Sequence, residues 1–103
     1  MNMDLKNVLV EYKRNSQGHP IGVVIAIQRN IVGWSLCNKL DVYSKTKAFA
    51  YALGKAAVAG ALNKKDRKEF YKECPNSVKD LVKKMRNRSK AYFKKEEKTD
   101  DND

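Results

Sequence analysis

Residues 21–28, IGVVIAIQ, constrain the fold more than any other stretch. In an extended chain Ile21, Val23, Ile25 and Ile27 share one face, and Gly22, Val24 and Ala26 share the other. Both faces are therefore largely apolar, and a strand of this kind belongs at the centre of a sheet, covered on both sides. Its neighbours supply the partners. Val8, Val10 and Tyr12 alternate with Leu9 and Glu11, which is the pattern of a strand with one face more apolar than the other. Between them, residues 13–20 (KRNSQGHP) are rich in turn formers and read as an exposed loop.

Arg29-Asn30 separates two β-rich runs by the length of a tight hairpin, and asparagine tolerates the positive φ such turns require. Ile31–Cys37 (IVGWSLC) forms the third strand, with Val32, Trp34 and Leu36 on one face. Trp34 is expected in the core, although an exposed indole there would be a stacking platform. Gly33 and Ser35 lie opposite, leaving room for a helix or a ligand to come close. Residues 7–37 thus read as a three-stranded antiparallel meander, to which Val42-Tyr43 adds a short edge strand as a possible fourth.

The remaining chain is helical. Ser44 is placed to cap a helix from Lys45 to about Leu62, in which Ala48, Ala52, Ala56 and Gly60 form a seam of small side chains flanked by Phe49, Leu53 and Ala57. Gly54 and Gly60 weaken such a helix by roughly 1 kcal/mol each, and close packing along the seam is the simplest compensation. Asn63 stops it. A short charged helix, KKDRKEFYKE, follows, with Phe70 and Tyr71 available to dock on the core. Beyond Pro75, Ser77 and Asp80 have the spacing of a capping box, and Val78, Leu81, Val82 and Met85 mark an amphipathic helix running to about Phe93. The expected fold class is α+β: a meander, then an Ala-rich helix, a short helix and a C-terminal basic helix. The two long helices are expected to pack on one face of the sheet. Residues 1–93 make one domain, and residues 94–103 (KKEEKTDDND) read as a disordered charged tail.

Charge sets the function class. The chain has 22 Lys and Arg against 12 Asp and Glu, a net +10 at pH 7. An excess of that size attracts polyanions and makes affinity fall with salt. The last helix concentrates it: Lys79, Lys83, Arg86 and Lys90 share one face, with Lys84 and Arg88 beside them. A cationic helix face suits phosphate backbones, because its groups replace condensed counterions, and it implies no reading of bases. The plainer account of the same residues is a solvated surface. Lys13 and Arg14 in the first loop, together with Arg29 at the hairpin, offer a second basic surface if the loop ends converge.

Catalysis has no frame here. The single His19 sits in a Gly-His-Pro turn without a ligand set, so no metal is expected. No GxSxG, GxxxxGK[ST] or GxGxxG motif is present, Asp41 and the pair Asp66 and Glu69 lack supporting carboxylates, and no cofactor is implied. Cys37 and Cys74 stand far apart with no CxxC partner, which points to reduced thiols and a cytoplasmic location. Residues 1–6 do not read as a signal peptide, and the longest apolar candidate, residues 48–62, is too short and interrupted to cross a bilayer.

Within Ile31–Lys55, Gly33, Trp34, Ser35, Cys37, Asp41, Lys45 and the Ala-rich helix resemble a pattern in small uncharacterised bacteriophage proteins, a GWSxC segment followed by an Ala-rich helix. The resemblance covers about a quarter of the chain. It implies a phage origin, hence the host cytoplasm, and the functions common among such proteins: nucleic-acid binding, or disabling host defence by inhibiting a CRISPR-type nuclease or sequestering a cyclic nucleotide. SKTKAFAYALGKAAVAGAL also looks like the last helix of a double-stranded-RNA-binding domain, but that domain's N-terminal helix is missing and a further basic helix follows. The sequence-based expectation is a non-enzymatic protein that binds nucleic acid or another polyanion. The alternatives are an anti-defence protein holding a host effector or nucleotide, and a homo-oligomer joined through the Ala48, Ala52, Ala56, Gly60 seam.

Overall fold

A computed structural model describes residues 8–37 and 44–93. The meander forms as its patterning requires. β1 (Leu9–Arg14), β2 (Pro20–Gln28) and β3 (Ile31–Leu36) make an antiparallel sheet in the order β1-β2-β3, with β2 at the centre. Register pairs Leu9 with Ala26, Tyr12 with Val23, Val24 with Trp34 and Ala26 with Val32. Asn30 has φ of 59° in the hairpin turn, the left-handed conformation that asparagine accommodates better than most residues. In the first loop the Asn15 side-chain oxygen accepts from the Gln17 and His19 amides, closing the turn around Gly18. The possible fourth strand at Val42-Tyr43, Asp41 and the tail at 94–103 lie outside the described residues.

Three helices follow: α1 (Lys45–Ala61), α2 (Lys64–Lys72) and α3 (Asn76–Tyr92). Ser44 caps α1 by accepting the Lys47 amide at 3.3 Å. Asn63 does more than end α1, since its side chain caps α2 through the Asp66 amide at 2.8 Å. Arg67 reaches back from α2, donating from Nε to the Ala59 carbonyl and from Nη2 to the Leu62 carbonyl, each at 2.8 Å. It thereby gives the Leu62 carbonyl a donor and adds a second one to the Ala59 carbonyl, which also accepts the Leu62 amide. The expected capping box at Ser77 is not formed. α3 begins two residues earlier, with Pro75 at the cap position and no side-chain cap, so Ser77 already lies inside the first turn.

The two long helices do not share a face of the sheet; they sandwich it. Val23 and Ile25 pack with Ala48, Ala52 and Ala56 of α1. Val24 and Ala26 join Leu9, Val32 and Trp34 in a second core with Tyr71, Val78, Val82, Met85 and Phe93. The reason is the alternation in β2 itself: two apolar faces need two covers, and one helix on each meets that need. The small residues allow α1 a very close approach. A Cβ on Gly33 would stand 1.9 Å from the Ala52 carbonyl oxygen and 2.4 Å from the Ala56 nitrogen, so only glycine fits there. This contact also uses up the seam: Ala48, Ala52 and Ala56 are buried within the chain and are not available for self-association. Its fourth member, Gly60, has turned outward, and Ala59 is buried in its place.

Trp34 is core, 4% exposed, with its ring centroid 5.2 Å from that of Phe70 and 6.3 Å from that of Tyr71. Such clusters bury large apolar area in favoured tilted geometries. They hold α2 against the α3-covered side of the sheet. No helix among the described residues is long and apolar enough to cross a membrane.

Candidate nucleic-acid interface

α2 and α3 enclose a cleft of about 320 Å³, lined by Lys68, Tyr71, Lys72, Cys74, Lys79, Val82, Lys83 and Arg86. Five of these eight residues are cationic, and none carries a carboxylate. The sequence stretch behind it, residues 64–90, holds 11 Lys and Arg against 4 acidic residues. Lys79, Lys83 and Arg86 come from the helix face expected to bind anions, and the structure brings them together. Lys90 continues that face one turn on, half-buried and outside the cleft lining. Sequence reading missed Lys68 and Lys72 as site residues. The signal was present in the four-residue spacing of Lys64, Lys68 and Lys72, which aligns them on one side of a helix.

The other basic residues are divided. Arg88 projects from the opposite edge of α3 and donates to the Glu11 carboxylate at 2.6 Å, with Lys84 3.7 Å from the same oxygen. Partly exposed pairs of this kind contribute about 1 kcal/mol or less to stability, but they offset the local charge. A larger depression on that flank, lined by Asp80, Lys83, Lys84, Asn87 and Arg88, is therefore less favourable to an anion. Both Asp80 in its lining and Glu11 beside it oppose an incoming phosphate.

The second basic surface does not assemble. Lys13 and Arg14 end β1, whereas Arg29 follows β2, so the full length of β2 separates them, about 30 Å at strand rise. Consecutive antiparallel strands place successive turns at opposite ends of a sheet, and these two connections obey that rule. Arg14 is instead held in its own loop, donating from Nη1 to the Gly18 carbonyl at 3.0 Å. Arg29 stays with the α3 end through its neighbour Asn30.

Asn30 anchors a buried polar network that nothing in the sequence announced. Its amide donates to Ser89 Oγ at 2.9 Å, and its carbonyl accepts from the Tyr71 hydroxyl at 2.7 Å. The same hydroxyl accepts the Val32 amide at 2.8 Å, and Ser89 Oγ donates to the Arg86 carbonyl at 2.7 Å. The Asn30 side-chain oxygen accepts from Arg86 Nε at 2.8 Å, and the guanidinium lies over Tyr71, 4.7 Å from the ring centroid. Arg86 is consequently fixed between a hairpin and two helices.

Cys74 lies at the cleft floor, buried, and burial pushes its thiol above the ordinary value, with Lys79 nearby pulling weakly the other way. Among the described residues no cluster of His, Cys, Asp and Glu has the make-up of a metal site. No family model matches the chain, and no curated protein or solved structure shows significant similarity to it.

Proposed function

We propose that this chain binds the phosphate backbone of a nucleic acid through the cleft between α2 and α3 and the lysines around it. The observation that carries the reading is the lining itself, with five cations from two helices and no carboxylate. Such an arrangement releases counterions when a polyanion docks. The aromatic side chains support backbone contact over base stacking. Tyr71 is buried beneath Arg86, and the exposed Tyr51 and Tyr92 are not among the residues lining the cleft. Binding of single strands without sequence preference usually relies on exposed aromatic platforms at the site.

The test is fluorescence anisotropy of a labelled duplex over a salt series. If all five cations meet phosphates, log K falls with log salt at a slope of about −4.5. Changing Lys68, Lys72, Lys79 and Lys83 together to Glu is expected to abolish binding while the fold remains, since all four side chains are exposed. Undiminished affinity in that variant overturns the proposal. One observation favours a second reading, capture of a small phosphorylated signal: the cleft volume of about 320 Å³ is at the lower end of ligand-sized cavities. Calorimetry against cyclic nucleotides tests it, with defined stoichiometry expected and no heat overturning it.

A further inference from the structure

We infer that the cleft is a seat for one phosphate group, with Arg86 as a preordered fork and Asn30 as the residue that positions it. This deepens the nucleic-acid reading and rests on it for the identity of the polymer. Lys68, Lys72, Lys79 and Lys83 are exposed, and long exposed side chains lose rotamer freedom when they engage a ligand. Arg86 differs from all of them. Its Nε is bonded to Asn30, its plane rests against Tyr71, and its backbone carbonyl is held by Ser89. Asn30 is fixed in turn by its own amide and carbonyl, so the guanidinium is oriented before any ligand arrives.

Arginine has five N–H donors in a planar fork, and Nε uses one of them. The Arg86 guanidinium makes no hydrogen bond other than that to Asn30 among the described residues. The Nη groups are therefore open to two oxygens of one phosphate, the bidentate geometry that lysine cannot supply. The four lysines add charge around that point. The Tyr71 hydroxyl is already bonded to Asn30 and Val32, and its ring carries Arg86, so recognition extends no further than the phosphate. The ligand class is a phosphate ester, either a backbone diester or a terminal or free monoester.

The experiment follows the arginine Nε–H signals of the full chain by nitrogen–proton NMR as pyrophosphate is added at low salt. Saturable movement of the Arg86 signal is expected. Arg86→Lys keeps the charge and removes the fork. Asn30→Gly tolerates the positive φ and removes the side-chain amide, including the oxygen that holds Arg86 Nε. Each variant is expected to bind pyrophosphate about tenfold more weakly, the size of a lost charge-assisted hydrogen bond. Wild-type affinity in both variants, each shown folded by its amide spectrum, overturns the seat. A duplex with hydroxyl ends, the same duplex with phosphorylated ends, and a mononucleotide then separate the sources by which moves the Arg86 signal at the lowest concentration. If the duplex binds and leaves Arg86 unmoved, the seat falls and the backbone reading stands. If pyrophosphate moves Arg86 and the duplex does not bind, the seat stands and the nucleic-acid reading falls.

Discussion

The Tyr71 hydroxyl serves two backbone groups at once, accepting from Val32 and donating to Asn30, both buried. Removing one oxygen deprives both of that partner. Tyr71→Phe is therefore expected to lower unfolding free energy by about 2–4 kcal/mol, measured by urea denaturation, although the ring keeps its place beside Trp34. Gly33 makes a different demand. Gly33→Ala would drive a methyl into the backbone of α1, where nothing flexible yields, and a loss of about 3 kcal/mol, at the upper end of overpacking costs, is expected in the same assay. Cys74 links the cleft floor to pH. Its folded-state pKa lies above the ordinary 9.0, so the folded protein retains that proton longer than the unfolded chain. The stabilising contribution is complete below pH 9 and declines as pH rises through the folded value. A stability profile above pH 9 should fall less steeply in Cys74→Ala than in the parent, once the cavity cost common to all pH values is subtracted.

At the scale of elements, α1 and α2 are tied at their junction by Arg67 as much as by packing. Two carbonyls at the end of α1 accept from one guanidinium. Arg67→Ala should cost about 1–3 kcal/mol in thermal or urea unfolding, since hydrogen bonds from charged donors lie in that range. Hydrogen exchange would localise the change to the last turn of α1. α3 has a divided role. One edge neutralises Glu11 of β1 through Arg88 and Lys84, while the other faces the cleft. Substituting Arg88 should thus alter anion affinity much less than substituting Lys79 or Lys83, a difference that the anisotropy assay reads directly.

For the whole molecule, the net charge of +10 sets a long-range positive field, and α2 and α3 gather five of its cations around one cleft. Much of this architecture is legible in the sequence. Period-two alternation marked β2 as central, the small residues opposite Trp34 anticipated a close helix, and apolar spacing from Val78 to Met85 placed α3. The side of the sheet each helix takes was less legible, because the buried stripe of a helix specifies only that it faces something apolar. Half of the cleft was missed for a related reason: Lys68 and Lys72 join Lys79 and Lys83 only once the turn at Cys74-Pro75 brings α2 beside α3. The network at Asn30 joins residues 39 to 59 positions apart, and local pattern carries no information over such separations.

Those separations bear on the order of events during synthesis. The β2–β3 hairpin can close as soon as it emerges, but the groups that hold Asn30 belong to Tyr71, Arg86 and Ser89, which follow much later. Until α3 has been made, one face of β2 also lacks its cover, leaving Val24, Ala26 and Val32 open to water or to another nascent chain. A product stopped before Arg86 would carry an exposed sheet and an unanchored turn, and would be a substrate for chaperones and proteases. Completion of α3 and completion of the fold are thus coupled.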